Sequence, residues 1–440
     1  MRSMCSAIMA ATCVAWASVV ACNDAFAGSF DSSIAQNYPG DFITSVAKTA
    51  TDIYVNSGAR LGGTIYRYNI ASGQWSPFLD ATMAGGGYLM VQSNYLYVCG
   101  SVQFPDSTTS TLARCNLTTN EWAKLGGGLS SAAINCFTVS DQGYLYIGHK
   151  EWPKTLPNGT TSYGVARFAL SFGDDPNGWD NMGGGVDGPP IPSDESGVYS
   201  LWATRKITRL KQGIVTNYAD RVLIGGQFTK TVGTVVNHNV VLWEQTGECS
   251  ESGCGFDQPV WVPLSSGNGF NGVGVWYEDG TEHDFSAFVL KETATQLTNQ
   301  TILIGGFFEP EDHSWNGLAL VDQDLRTIGP AAQVPYDDGG AGDCTPSYHA
   351  AIQTIAIGGA SQYAVGQFDI LGSACTSEGL GNFASITPTA GFLGSFDGSS
   401  DIGVNDMTSD SSATAPIYIV GGFFNLNGNT VPPFIIKYNP

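Results

Sequence analysis

Arg221-Val222-Leu223-Ile224-Gly225-Gly226-Gln227-Phe228 is the stretch on which the reading of this chain turns, because close copies of it recur along the sequence. Downstream it returns as Thr301-Ile302-Leu303-Ile304-Gly305-Gly306-Phe307-Phe308, as Gln362-Tyr363-Ala364-Val365-Gly366-Gln367-Phe368, and as Ile417-Tyr418-Ile419-Val420-Gly421-Gly422-Phe423-Phe424. Weaker copies stand upstream at Tyr95-Leu96-Tyr97-Val98-Cys99-Gly100, Tyr144-Leu145-Tyr146-Ile147-Gly148 and Asp52-Ile53-Tyr54-Val55-Asn56. Each is a run of branched or aromatic residues, which suits a buried strand, stopped by glycine, which suits a tight bend or a close backbone approach.

A fixed order of other elements surrounds each copy. A short apolar run precedes it, as in Phe42 to Ala47, Val198 to Ala203, Asp284 to Leu290 and Asp401 to Met407. A third run follows, such as Leu112-Ala113-Arg114-Cys115, Val240-Val241-Leu242-Trp243 or Phe434-Ile435-Ile436-Lys437-Tyr438. In the early repeats a fourth element carries Trp75, Trp122, Trp179 or Trp261, and two of these run into the triplets Gly126-Gly127-Gly128 and Gly183-Gly184-Gly185. Four strands per repeat, repeated radially, make a β-propeller blade, so the expectation is an all-β, seven-bladed propeller over residues 28–440. The last repeat stops at its third strand, so a segment around Phe30 to Gln36 is expected to supply the missing outer strand and close the ring, removing an exposed edge.

The Gly-Gly-x-Phe strand, the alanine-bearing third strand and the tryptophan-to-glycine fourth strand resemble the extracellular propeller repeats called delta-60 repeats. They also resemble the propeller of fungal cortical marker proteins for cell polarity, with kelch propellers a more distant likeness. The first repeat departs from the pattern by lacking the glycine pair, and the later fourth elements depart by lacking tryptophan. What the resemblance implies is a fold; structural motifs of this kind carry no activity with them.

Only 13% of residues are charged while glycine supplies 56 of 440, a balance that favours many short strands over helices or disorder. The formal charge of −21 gives a surface that repels nucleic acid and anionic lipid. Arg2, the apolar run from Ala7 to Ala21 and Ala25-Phe26-Ala27 read as a signal peptide over residues 1–27, which places the mature chain outside the cell. Val19-Val20-Ala21-Cys22 resembles a bacterial lipobox, so a lipid anchor at Cys22 is the alternative; no other segment is apolar for long enough to span a bilayer.

In an oxidising compartment Cys249 with Cys254, Cys344 with Cys375, and Cys99 with Cys115 are the candidate disulfides, leaving Cys136 as either a buried free thiol or a sign that the pairing differs. Asn116-Leu117-Thr118, Asn158-Gly159-Thr160 and Asn299-Gln300-Thr301 are glycosylation sequences. The cysteines and histidines lack zinc-site spacing, and His149, His238, His283, His313 and His349 are scattered enough to read as structural or surface residues.

The repeats are unevenly spaced, and extra length in a propeller goes to loops that carry binding sites. The long connections Gly183 to Gly197, Ser265 to His283 and Gly329 to His349 belong to consecutive blades and should crowd one sector of one face. That sector offers Trp276, Tyr277, Glu278, Asp279, Glu282, Asp337, Asp338 and Tyr348 as candidate ligand- or partner-binding residues. Carboxylates on a rigid rim suit calcium, and exposed aromatic faces suit sugars or a partner's cations; no other cofactor is implied. The basic cluster Arg205, Lys206, Arg209 and Lys211 falls in the long link between a first and a second strand, on the opposite face. Opposite charges on opposite faces favour head-to-tail stacking of copies.

No catalytic residue is assigned. Gly267-Asn268-Gly269-Phe270-Asn271-Gly272 has a nucleotide-loop form but no βαβ setting, and no Gly-x-Ser-x-Gly elbow is present. The reading is a secreted, non-enzymatic propeller that binds an extracellular protein or glycan at a cell surface or in a matrix. A carbohydrate-active enzyme using loop carboxylates such as Glu282 and Asp284 is one alternative, and a subunit of an extracellular filament is another.

Overall fold

The computed structural model describes residues 29–40, 42–58, 63–104, 106–129, 134–188, 197–211, 214–250, 253–256, 258–265, 272, 277–278, 281–282, 286–292, 302–307, 318–321, 328–330, 351–358, 361–367, 382–387, 391–395, 404–409, 415–421, 424–426, 429–431 and 434–439. Among them the regular structure is β-strand apart from single turns of 3-10 helix at Ser33–Ala35, Leu170–Phe172 and Pro176–Gly178.

The strands form successive antiparallel sets of four. The first set holds Ile43–Lys48, Asp52–Ser57, Gly63–Asn69 and the start of Gln74–Gln92; the end of that strand opens the second, with Tyr95–Gln103, Thr109–Asn116 and Glu121–Leu125. The third set runs Ile134–Val139, Tyr144–His149, Val165–Ala169 and Trp179–Asp180; the fourth runs Gly197–Lys211, Ile214–Val232, Val235–Ser250 and Val260–Val262. Ser286–Glu292, Ile302–Phe307, Leu318–Val321 and Ile328–Pro330 follow, then Ala351–Gly358, Ser361–Gln367, Asn382–Thr387 and Gly391–Ser395. Val404–Ser409, Ile417–Gly421 and Ile435–Asn439 make three strands of the last set, and Ser29–Asp31 is the fourth, with Phe30 opposite Tyr438. The protein is therefore an all-β propeller whose ring is closed by its N-terminal strand. No helix among the described residues is long and apolar enough to cross a membrane.

The core lies in layers between neighbouring sets. Successive side chains of a strand point to opposite faces, so Leu145 and Ile147 join a buried layer with Cys99, Leu112 and Leu125 of the second set, while Tyr146 joins one with Val198, Val222 and Trp243 of the fourth. Likewise Leu223 packs towards Ala287, Ile304 and Val321 of the next set, and Tyr418, Val420 and Ile435 of the last set pack on Ile43, Val46, Ile53 and Val55 of the first. In the third and fourth sets both faces of the second strand are therefore buried. The repeated strand is consequently a continuous apolar run rather than an alternating one.

In the fourth set the glycine pair does not end the strand: Ile214–Val232 continues through Gly225 and Gly226, with a break in its register to the third strand between Gly225 and Thr229. Each glycine has its own task. A Cβ on Gly225 would stand 3.2 Å from the Cβ and carbonyl oxygen of Ala287 in the following set. One on Gly226 would stand 2.2 Å from Gly197 O and 2.8 Å from Val198 Cα in its own set. That second contact sits beside a β-bulge between Val198 and Ser200, and an irregularity of the same kind recurs where the first and second strands pair in the other sets.

Polar side chains near these bulges stitch neighbouring inner strands together. Asp406 Oδ2 accepts from Ser45 Oγ at 3.1 Å and from Val46 N at 3.0 Å, joining the last set to the first. Ser45 Oγ accepts from Leu89 N at 3.1 Å, Cys136 Sγ donates to Val198 O at 3.7 Å, and Ser200 Oγ donates to Ala287 O at 3.4 Å.

The expected Cys99–Cys115 disulfide is not formed; both residues are free and buried, as is Cys136. Cys99 pairs with Leu112 and Cys115 with Leu96, three positions apart, so the two side chains leave opposite faces of the sheet and enter different core layers. Cys249 and Cys254 are direct partners across the hairpin formed with Gly253–Phe256, whereas Cys344 and Cys375 lie outside the described residues.

Candidate functional site

Much of the extra length in the fourth repeat goes into strands, which corrects the expectation that it all lies in loops. Its first three strands span 15, 19 and 16 residues. Arg205, Lys206, Arg209 and Lys211 are not in a linking loop but on the first of these, where Arg205 pairs with Asp220 and Lys211 with Ile214. The three strands and Gly253–Phe256 form an arm at one end of the blade.

At the other end, four connections are pinned together. The segment 150–164, between the second and third strands of the third set, meets the link to the fourth set through Val186 N, which donates to Tyr163 O at 2.9 Å. That link then bridges to the turn of the fourth set: Asp187 N donates to Thr229 O at 2.9 Å, and Thr229 N donates to Gly188 O at 2.7 Å. On the far side Asn237 Oδ1 accepts from Leu264 N at 3.0 Å, Gly272 N donates to Leu264 O at 2.8 Å, and Gly272 pairs with His238. Two of the three long connections expected to share a sector therefore flank one hairpin. The third, Gly329 to His349, lies outside the described residues except for Gly329 and Pro330.

The glycine triplet makes this approach possible. Met182 and Gly183 to Gly185 all have positive φ, and a Cβ on Gly185 would stand 2.0 Å from Tyr163 O. The Asp187 carboxylate accepts from Lys230 Nζ at 3.0 Å and from the Thr231 amide. Burial works to raise its pKa, but the Thr231 and Lys230 hydrogen bonds outweigh it and hold the carboxyl below its ordinary value. The Lys230 ammonium also stands 4.8 Å from the centre of the Trp261 ring. Asp187 is thus a structural carboxylate that ties two connections together. Tyr163 and Val236 remain 39% and 43% exposed on the same rim, enough for a partner to reach them.

The segment 150–164 is organised by His149, which is fully buried. Its Nδ1 lies 3.0 Å from Glu151 O and its Nε2 lies 3.0 Å from Ser162 Oγ. Lys154, 2% exposed, donates to Glu151 Oε2 at 2.9 Å. Burial first, and then the Lys154 charge, push the His149 pKa down to about 3. This histidine is structural, as the sequence indicates, and not a surface one.

Of the candidate binding residues, Tyr277 and Glu278 pair with Thr281 and Glu282 in a small hairpin within the link from the fourth set to the fifth, with Tyr277 directly opposite Glu282. Trp276, Asp279, Asp337, Asp338 and Tyr348 lie outside the described residues, as do Asp284 and the glycosylation candidate Asn299. Asn116 Oδ1 caps the turn that follows it, accepting from Thr118 N at 2.9 Å. Asn158 is half-buried, and its Nδ2 donates to Trp179 O at 2.9 Å. Among the described residues no cluster of His, Cys, Asp and Glu forms a metal site.

Sequence reasoning missed Tyr163, Val236, Lys230 and Asp406. The signal available for the first three was the lengthening between second and third strands in the third and fourth repeats; Asp406 stood out only as a carboxylate in an inner strand.

No protein-family model matches the chain, and no curated protein matches it. Among solved structures it is similar to the GH74 xyloglucanase from Xanthomonas campestris, at 11% identity and a TM-score of 0.42, covering 90% of this chain and 54% of that one. It is similar to a puromycin hydrolase at 11% identity and a TM-score of 0.38, covering 89% and 52%. Native arabinanase Arb43A from Bacillus subtilis follows at 9% identity and a TM-score of 0.25, covering 70% and 95%. The chain spans about half the length of the first two. Likeness at this level says nothing of chemistry, and the fold assignment rests on the strand pairing above.

Proposed function

We propose that this protein is a seven-bladed extracellular propeller, exported by its N-terminal signal, that binds a protein or glycan at a cell surface or in a matrix. The observation that carries the reading is the pinned rim around the fourth set. Loops held by backbone hydrogen bonds to a rigid ring lose little freedom on binding, so less of the contact energy is spent on ordering them. The hairpin with Tyr277 opposite Glu282 lies further along the link that contains Gly272, and Tyr163 is exposed on the rim. Aromatic faces with adjacent acceptors suit sugars and cationic side chains.

Glycosylation at Asn116, Asn158 and Asn299 and a Cys249–Cys254 disulfide at the tip of the arm are part of the same proposal. Cys344 with Cys375 is the second proposed bridge, a lipid at Cys22 the alternative to free secretion, and calcium the cation that the rim carboxylates suit. Glycan-array binding and capture from a native cell surface by the intact mature chain test the proposal. Tyr163→Ala and Tyr277→Ala should each weaken binding at least tenfold with folding unchanged. Oligosaccharide turnover lost in Glu282→Gln would replace the binding reading with the carbohydrate-active one, and ordered polymers in electron micrographs of native material would replace it with the filament one.

A further inference from the structure

We propose that His149 is the latch of segment 150–164, and that protonation of its ring releases this segment together with the Trp152 and Tyr163 side chains it carries. One imidazole holds both ends of the segment: Nδ1 faces Glu151 O at 3.0 Å near its start, and Nε2 faces Ser162 Oγ at 3.0 Å near its end. The His149 amide also donates to Gly164 O at 2.8 Å, and Ser162 Oγ lies 2.6 Å from Val165 O as its donor.

The protons in this chain of contacts can be counted. Glu151 O and Val165 O are carbonyls and only accept, so the three contacts call for three hydrogens. A neutral imidazole and a serine hydroxyl supply two. Protonation would complete the chain, but it would place a cation in a fully buried site beside the Lys154 ammonium. Desolvating a charge costs more than one further hydrogen bond returns, so the buried ring stays neutral and the charged ring prefers water. The charged groups on the turn and the short strand that follow are Glu151 and Lys154, paired to each other, while the backbone and hydrogen-bond neighbours Ile134, Ser162, Gly164 and Val165 bring no titratable group.

The direction of the pH effect follows. The closed segment holds His149 neutral down to about pH 3, whereas in the open segment the ring takes its ordinary value of 6.5. Closure is therefore at full strength above pH 6.5 and weakens up to tenfold per pH unit below it. The switch stands on the contacts and the burial of His149 and needs no ligand; only its consequence, loss of ligand in acid, rests on the binding role proposed for the rim.

Hydrogen exchange followed by mass spectrometry on the full mature chain reads segment opening without any ligand. After correction for intrinsic rates, exchange of peptides covering 149–165 should rise steeply from pH 6.5 to 5, while peptides of the fourth-set strands stay flat. In His149→Gln, which keeps a donor and an acceptor but cannot charge, the profile should lose its slope. A wild-type profile without slope, or an equal slope in the variant, overturns the proposal. Should the variant fail to fold, titration of ring-labelled histidine in the wild-type chain decides: a His149 signal that titrates near 6.5 with the segment still protected also overturns it.

Discussion

Gly226→Ala and Gly233→Ala separate two reasons for a glycine, lack of room and lack of backbone strain. Gly226 lies within a strand and does not need the left-handed φ, but an added Cβ would meet Gly197 O at 2.2 Å and Val198 Cα at 2.8 Å, both backbone atoms of the paired inner strand. Neither can rotate away. Overpacking costs about 1–3 kcal/mol, and immovable contacts belong at the upper end of that range. Alanine in a strand recovers about 0.5–1 kcal/mol of backbone entropy, leaving a net loss of about 2 kcal/mol or more. Gly233 is the reverse case, with φ at +63° and nothing within 4 Å of the added atom. There the loss is the left-handed penalty alone, about 1–2 kcal/mol, less the same entropy gain. Urea unfolding of each variant, followed by tryptophan fluorescence, compares the two through the shift in midpoint at constant slope. Gly226→Ala as stable as wild type, or less damaging than Gly233→Ala, would refute the argument that the close approach of Gly197 and Val198 at this bulge requires glycine at position 226.

Asp406→Ala should destabilise the ring by about 1–3 kcal/mol, because it strips the acceptor from Ser45 and from the Val46 amide; Asp406→Asn, which keeps an acceptor, should recover part of that in the same urea assay. Arg167 bonds Asp180 and Gln245 while its guanidinium lies 4.9 Å from the ring centres of both Tyr144 and Trp243, so Arg167→Lys should lower the melting temperature despite keeping the charge. Burial pushes the Cys99 and Cys115 thiols up to about 12 and Cys136 higher still, so all three should resist a thiol reagent at pH 8 in the native protein and react fully in urea.

The fold was legible because a propeller repeats its evidence: the apolar run before each glycine, the tryptophan in each early fourth strand and the truncated last repeat all point to one closed ring. Even the partner of the final strand could be read from the unfinished set, and Phe30 does face Tyr438. The role of the glycines was legible only as two alternatives, a tight bend or a close backbone approach; the distances to Ala287, Gly197 and Val198 bear out the second for Gly225 and Gly226. The pairing of Cys99 with Cys115 failed for a related reason, since adjacency of strands says nothing of which face a side chain leaves. The arm was hidden because the polar stretch around Arg205 to Lys211 lacks the apolar pattern that marks a buried strand.

The seam between Ser29–Asp31 and Ile435–Asn439 has a consequence for how the molecule is made and how it fails. It consists of three rungs, and its partners are separated by nearly the whole chain, so it is the costliest join to bring together in the unfolded state. Assembly cannot finish until the C-terminal strand has arrived, however early the first blades condense. By the same token, a pulling force or a protease will find its first purchase there, and the wheel should come undone at that join before any spoke breaks.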